Sequence, residues 1–291
     1  MKMIRRCFLV TLFVVLPLNC GWCEGRTKIL ASFYPMYIMA LNVARDVPGV
    51  TVMNLTSPST GCLHDYALTV NDMKKIVDAD ILVVNGAGME SFLERVTARY
   101  PELKIAKLSE GIPLIKGGEE DGDNPHVWVS ISNAITQVKN LCNALRAFDP
   151  SRGDAYQKNT DEYVSRLEFL RQRMHIALDR YRGRKIVTFH EAFPYFAREF
   201  GLEIAAVVER EPGSEPSARE LAKTIDLVRE AGIKALFAEP QYPVIVAKSI
   251  AEETGAKVYI LDPAVTGPEQ PDAYIKIMEM NLETLKGALK N

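Results

Sequence analysis

DPSRGDAYQKNTDEYVSRLEFLRQRMHIALDRYRG, residues 149–183, carries a helical pattern with a start and a stop. Asp149-Pro150 is an N-cap and first-turn pair, and Gly183 ends the run. Tyr163, Leu167, Leu170, Met174, Ala177 and Tyr181 recur every three or four positions along one stripe. Asp161, Arg166, Glu168, Arg171, Arg173 and Asp179 take the opposite face. Some 30 helical residues span roughly 45 Å, more than a crossover inside one lobe requires. The segment is therefore expected to be a rigid backbone helix joining two lobes. Two shorter helices with a break near Gly153 would leave the same two-lobe plan.

On both sides of this segment, short β-rich runs alternate with helical ones. KILASFY (28–34), VTVMNL (50–55), ILVVNG (81–86) and KIAKL (104–108) read as buried strands. Residues 36–46 and 71–79 between them have helical spacing, the second opened by Thr69 and Asp72 in capping-box order. The second half repeats the scheme with KIVTFH (185–190), EIAAVV (203–208), KALFAE (234–239) and KVYILD (257–262), one helix opening at Ser217-Ala-Arg-Glu220. Such alternation predicts an α/β fold of two Rossmann-like lobes, each a parallel sheet with helices on both faces. The expected organisation is an N-terminal lobe at 24–148, the connecting helix at 149–182 and a C-terminal lobe at 183–291.

Residues 1–23 stand apart. MKMIRRC brings three positive charges, and the apolar run FLVTLFVVLPL is too short for a bilayer, which needs about 20 residues. This reads as a secretory signal peptide cut after Cys23, with lipid anchoring at Cys20 or Cys23 as the competing reading. The 291-residue chain has 35 Lys+Arg against 37 Asp+Glu, a formal charge of −2. Loss of Lys2, Arg5 and Arg6 with the leader takes it to −5. Neither value suits a nucleic-acid partner, which calls for a basic excess. An apolar content of 47% excludes disorder. Cleavage leaves two of five cysteines, Cys62 and Cys142, as a disulfide or as two separate thiols.

Ligands of open α/β sheets bind beyond the carboxyl ends of the strands. His64 lies in the loop NLTSPSTGCLHDY after a strand, and His126 in a Gly/Asp/Pro loop before VWV. His190 closes KIVTF and Asp262 closes KVYIL. Imidazole and carboxylate suit Zn²⁺ in tetrahedral coordination, but a lone strand-end histidine is as readily structural. His175, on the long helix, reads as a surface or partly packed side chain.

These motifs resemble the zinc/manganese solute-binding proteins of bacterial ABC importers, a group that includes adhesin-type surface lipoproteins. The resemblance runs from about residue 28 to the C-terminus. It rests on His64-Asp65-Tyr66, ADILVVNGAGMESFL, Asn124-Pro125-His126-Val127-Trp128, Phe189-His190-Glu191-Ala192-Phe193, Glu215-Pro216-Ser217-Ala218, Ala238-Glu239-Pro240-Gln241 and Leu261-Asp262-Pro263. It implies one metal between two lobes, held by His64, His126, His190 and Asp262. It also implies Zn²⁺ as cargo, with Mn²⁺ or mixed specificity as the alternative, and an importer permease as partner of a monomeric, exported carrier. A histidine at the third position favours Zn²⁺ over the harder Mn²⁺. An exported zinc hydrolase is disfavoured, since catalytic zinc keeps an open position; a surface adhesin is the third class. In place of the His-rich loop of many zinc members stands the short acidic KGGEEDGDNP, in which Glu119-Glu120-Asp121 reads as a solvated tip. Glu239 is expected either to orient a ligand imidazole or to cap a helix. Asp65 and Glu191 read as structural, and Cys62 as spare once three histidines and an aspartate complete the site.

Overall fold

The computed structural model describes residues 26–117, 122–208, 216–241 and 244–290. The leader, Cys20, Cys23, Glu215 and the acidic run 119–121 lie outside the described residues. In the first half, β1 (Thr27–Ala31), α1 (Tyr34–Val43), β2 (Val50–Asn54), α2 (Val70–Asp78), β3 (Ile81–Val84), α3 (Leu93–Arg99) and β4 (Lys104–Lys107) are followed by a single 3-10 turn and α4 (Ile131–Phe148). Then come α5 (Gly153–Leu178), β5 (Lys185–Thr188), α6 (Pro194–Phe200), β6 (Glu203–Val207), α7 (Ala218–Glu230), β7 (Ala235–Ala238), α8 (Ile245–Thr254), β8 (Lys257–Ile260) and α9 (Ala273–Ala288). The strand order is β2-β1-β3-β4 in one sheet and β6-β5-β7-β8 in the other, every pair parallel. In both sheets the connections reverse direction after the first crossover. Right-handed crossovers then put successive helices on opposite faces, the expected two-lobe α/β fold.

Local chemistry sets the helix starts. Thr69 accepts from the Asp72 amide while the Asp72 carboxylate takes the Thr69 amide, and Ser217 and Glu220 repeat this capping box at α7. The predicted strands all begin near the observed ones, but most run on past the last ladder pair. Phe189 and Leu261 explain why: both stay buried after the backbone has left the sheet, so an apolar run does not mark where pairing stops.

The long connector is three pieces. A 3-10 turn at Pro150–Arg152 leads into α5 and another at Asp179–Tyr181 follows it. The first turn is tight because Asp149 gathers it, its carboxylate accepting from Ser151 Oγ (2.7 Å), Arg152 (2.7 Å) and Tyr156 (3.2 Å). The 26 residues of α5 run for about 39 Å. Tyr163, Leu167, Leu170, Met174 and Tyr181 are buried as the stripe predicts, and the stripe extends back to Tyr156.

The connector is not the sole link between lobes. One apolar core continues from β1, β3 and α4 through α5 into α6 and α9. Trp128, fully buried, donates Nε1–H to the Pro263 carbonyl (2.7 Å), and the Tyr274 hydroxyl donates to the Trp128 carbonyl (2.7 Å). Glu199 of α6 accepts from Ser130 Oγ, Ser132 N and Ser132 Oγ at the start of α4, where helix N–H groups lack intrahelical partners. A second core, confined to the C-terminal lobe, fills the space between its sheet and α7 and α8.

Candidate metal centre

Strand order builds the C-terminal half of the site. β5 and β7 are neighbours, so the residues just past their ends meet. His190 follows β5 by two residues and Glu239 directly follows β7. His190 Nδ1 lies 3.1 Å from Glu239 Oε1, both side chains nearly inaccessible. A carboxylate on Nδ1 holds the proton there and leaves Nε2 as the nitrogen able to accept a metal. Of the two readings of Glu239, the geometry selects the orienting one. Gln241 Nε2 donates to the other carboxylate oxygen at 2.6 Å.

The N-terminal lobe supplies two loops. In the loop after β2, Leu63 is fully buried and its amide meets Met89 Sδ at 3.4 Å. Leu63 thus pins this loop to the core, and its neighbours Cys62 and His64 both bring donor atoms to the site. The other loop carries His126, which the sequence placed before VWV. Asn124 Oδ1 accepts from the His126 amide (3.0 Å) and faces its Nδ1 (3.2 Å), so Nε2 again points toward the site. Asn124 Nδ2 reaches across the cleft to the Glu191 carbonyl (2.8 Å), while its own carbonyl accepts from the Tyr195 hydroxyl (2.7 Å).

The result is a compact set. Donor atoms of Cys62, His64, His126 and His190 all lie within 4.8 Å of one another. The Nε2 atoms of His64 and His126 are 3.3 Å apart, and Cys62 Sγ is 3.5 Å from His126 Nε2. The ring centroids of His126 and His190 are 4.7 Å apart and their planes nearly perpendicular. Burial, and then the adjacent imidazoles of His190 and His64, hold the His126 pKa well below the usual histidine range. A buried neutral imidazole is what a metal ligand requires.

Asp262 is placed differently. It is not in the 4.8 Å set. Its Oδ1 accepts from the Ala264 amide (2.8 Å), and its backbone N–H and carbonyl are clamped by the side chain of Asn281 on α9. Burial raises its pKa to about 6, and the nearby Glu239 charge pushes the same way. His175 is half-exposed, 3.5 Å from Glu199 and against the Phe200 ring, as its position on the long helix led us to expect. Cys62 and Cys142 are not joined, Cys142 being buried in α4.

A cavity of about 410 Å³ opens onto the set, lined among others by His64, His126, Asn124, Asp123, Gly88 and Glu191. Asp65 is exposed, whereas Glu191 stands at this cavity. Sequence reasoning missed the residues that hold the second loop. Asn85 donates to the Pro125 carbonyl (2.9 Å) and accepts from Gln137 (2.9 Å). Buried Glu90 ties down the Asn85 and Gly86 amides and Ser32 Oγ. Gly86 itself is required, since φ is +79° and a Cβ would sit 2.7 Å from Ser109 Oγ. The signal available was polar residues inside the apolar run ILVVNGAGME.

A family model described as zinc-uptake complex component A, periplasmic, matches residues 29–288. The chain belongs to this family. A zinc-uptake component A is a binding component, so the chain is a carrier and not an enzyme. It is 31% identical over 283 residues to the high-affinity zinc uptake system protein ZnuA of Bacillus subtilis (strain 168), covering 91% of this chain and 88% of that protein. Among solved structures, it resembles FpvC from Pseudomonas aeruginosa in complex with Mn²⁺. The TM-score is 0.82 at 32% identity, over 91% of this chain and 99% of that one. Zn(II)-bound AdcA from Streptococcus pneumoniae matches with a TM-score of 0.80 at 29% identity, over 92% of this chain. The match spans only 58% of the AdcA chain. Among the described residues, no helix is long and apolar enough to cross a membrane.

Proposed function

We propose that this zinc-uptake component captures Zn²⁺ outside the cytoplasm and delivers it, as a monomer, to the permease of an ABC importer. His64, His126 and His190 grip the ion, and Asp262, set outside these three, is the carboxylate the cleft offers a cargo. The lobes and the long helix divide near 24–148, 149–182 and 183–291, and the leader 1–23 exports the chain and is cut after Cys23. One observation carries the reading: imidazoles from both lobes converge with donor atoms within 4.8 Å of one another, two of them at bonding separation. Two nitrogens at about 2.05 Å from a tetrahedral zinc lie about 3.3 Å apart, the His64–His126 Nε2 spacing found here. The site therefore asks little rearrangement of the protein. The core shared by the lobes, with the Trp128 and Glu199 links, favours small local adjustments on loading over wide closure.

Charge suits a cation cargo. A neutral His126 costs no proton before binding, and Glu239 offsets part of the incoming charge through His190. Relatives named for zinc uptake support Zn²⁺, while the Mn²⁺ complex of FpvC keeps Mn²⁺ as the second cargo to be measured. Competitive titration of the protein with Zn²⁺ and Mn²⁺, repeated on His190→Ala, tests the proposal. We expect zinc to bind more tightly than manganese, and the substitution to abolish most of that binding. Unchanged zinc affinity in His190→Ala would remove the site.

A further inference from the structure

The three imidazoles leave one corner of a tetrahedron, and two side chains compete for it. We propose that Cys62, as a thiolate, is the fourth donor to zinc, and that it sets the preference for thiophilic ions over Mn²⁺. This rests on the three-histidine cargo site described above.

Distance decides between the candidates. A sulfur at about 2.3 Å and a nitrogen at about 2.05 Å from a tetrahedral zinc are about 3.6 Å apart. Cys62 Sγ stands 3.5 Å from His126 Nε2, in a set that already includes His64 and His190. His126 is only 2% exposed, and its Nε2 faces both His64 Nε2 and Cys62 Sγ. The carboxylate of Asp262 is outside this set, and its Oδ1 takes the Ala264 amide. Cys62 reaches its place through local chain geometry: it is two residues from His64 with buried Leu63 between them.

The chemistry follows from ligand softness. On binding, the Cys62 S–H gives its proton to water and a sulfur–metal bond forms, with no redox change. One thiolate with three imidazoles suits Zn²⁺, whereas Mn²⁺ prefers oxygen donors and gains little from sulfur. Asp262 remains the oxygen donor for a harder ion.

The test uses Co²⁺ as a spectroscopic probe of the full chain, with Zn²⁺ and Mn²⁺ titrations on the wild type, Cys62→Ser, Asp262→Asn and His126→Ala. We expect the wild-type Co²⁺ complex to show a near-ultraviolet sulfur-to-cobalt charge-transfer band that Cys62→Ser lacks and Asp262→Asn keeps. Cys62→Ser should lose more zinc affinity than the roughly 10- to 100-fold that removal of an outer-shell partner costs, with a reduced preference for Zn²⁺ over Mn²⁺. Zinc should also protect the Cys62 peptide from alkylation, followed by mass spectrometry, a readout that needs no variant to fold. A wild-type complex without the band, or Cys62 alkylated at the same rate with and without zinc, overturns the proposal. If His126→Ala binds zinc like the wild type, the cargo site itself is wrong; if His126→Ala fails to bind while no thiolate band is seen, only the role of Cys62 falls.

Discussion

Glu239→Gln isolates the contribution of a residue that touches no cargo. The buried carboxylate accepts from His190 Nδ1 at 3.1 Å and from Gln241 Nε2 at 2.6 Å. A glutamine has one carbonyl oxygen and one amide NH₂, so it satisfies His190 only by turning its NH₂ toward that of Gln241. The bond to His190 also falls from charge-assisted to neutral, a difference of about 1–1.5 kcal/mol, or roughly tenfold in affinity. An opposing effect must be weighed. Removing Glu239's charge lowers the Asp262 pKa, now about 6. At pH 7.5 Asp262 is already about 97% ionised, so nothing is recovered. At pH 6 it is about half ionised, and the variant regains up to about twofold. We therefore expect zinc binding weakened about tenfold at pH 7.5 and about fivefold at pH 6, measured by competition with a fluorescent chelator. A loss equal to that of His190→Ala would refute the orienting role, because it would mean the imidazole is displaced and not merely less basic. Wild-type affinity at both pH values would refute it as well.

Two further outcomes rest on stability. Asp262 titrates in the fold near 6 against 3.8 unfolded, so its ionised form is disfavoured there. This contribution to stability is full below pH 4 and is lost as pH rises through 6. Asp262→Asn should accordingly stabilise the metal-free protein at pH 8, by up to roughly 3 kcal/mol, and change little at pH 4; urea midpoints at the two pH values check this, and a pH-independent effect would contradict it. Trp128→Phe removes the donor to the Pro263 carbonyl and part of a fully buried ring packed edge-on against Phe33 at 5.2 Å. A loss of about 2–4 kcal/mol is expected, and a shift in urea midpoint worth less than 0.5 kcal/mol would show that the lobes are not fastened there.

The repeated β/α alternation and the Tyr163-to-Tyr181 stripe were enough to read two lobes and a long connector. Both are local periodicities, and local backbone geometry converts them directly into elements. His64, His126 and His190 were legible as candidates because loops and strand ends are where open sheets bind ligands. Strand ends were blurred at Phe189 and Leu261, since burial persists after hydrogen-bonded pairing stops. The roles of Asn85, Glu90 and Asn124 were not legible, because the bonds Asn85–Pro125, Asn85–Gln137, Glu90–Ser32 and Asn124–Glu191 join residues dozens of positions apart.

Composition, periodicity and motif order thus determined the class of fold, the number of lobes and the residue types able to hold a cation. Strand order and packing decided which of them meet. Glu239 reaches His190 because β7 lies beside β5, and Cys62 stands with the histidines on a loop that buried Leu63 pins to the core. Asp262, spaced just as plausibly along the chain, is held apart by Ala264 and Asn281. Ligation needs donor atoms within a few tenths of an ångström, and a linear chain specifies such distances only after its long-range contacts have formed.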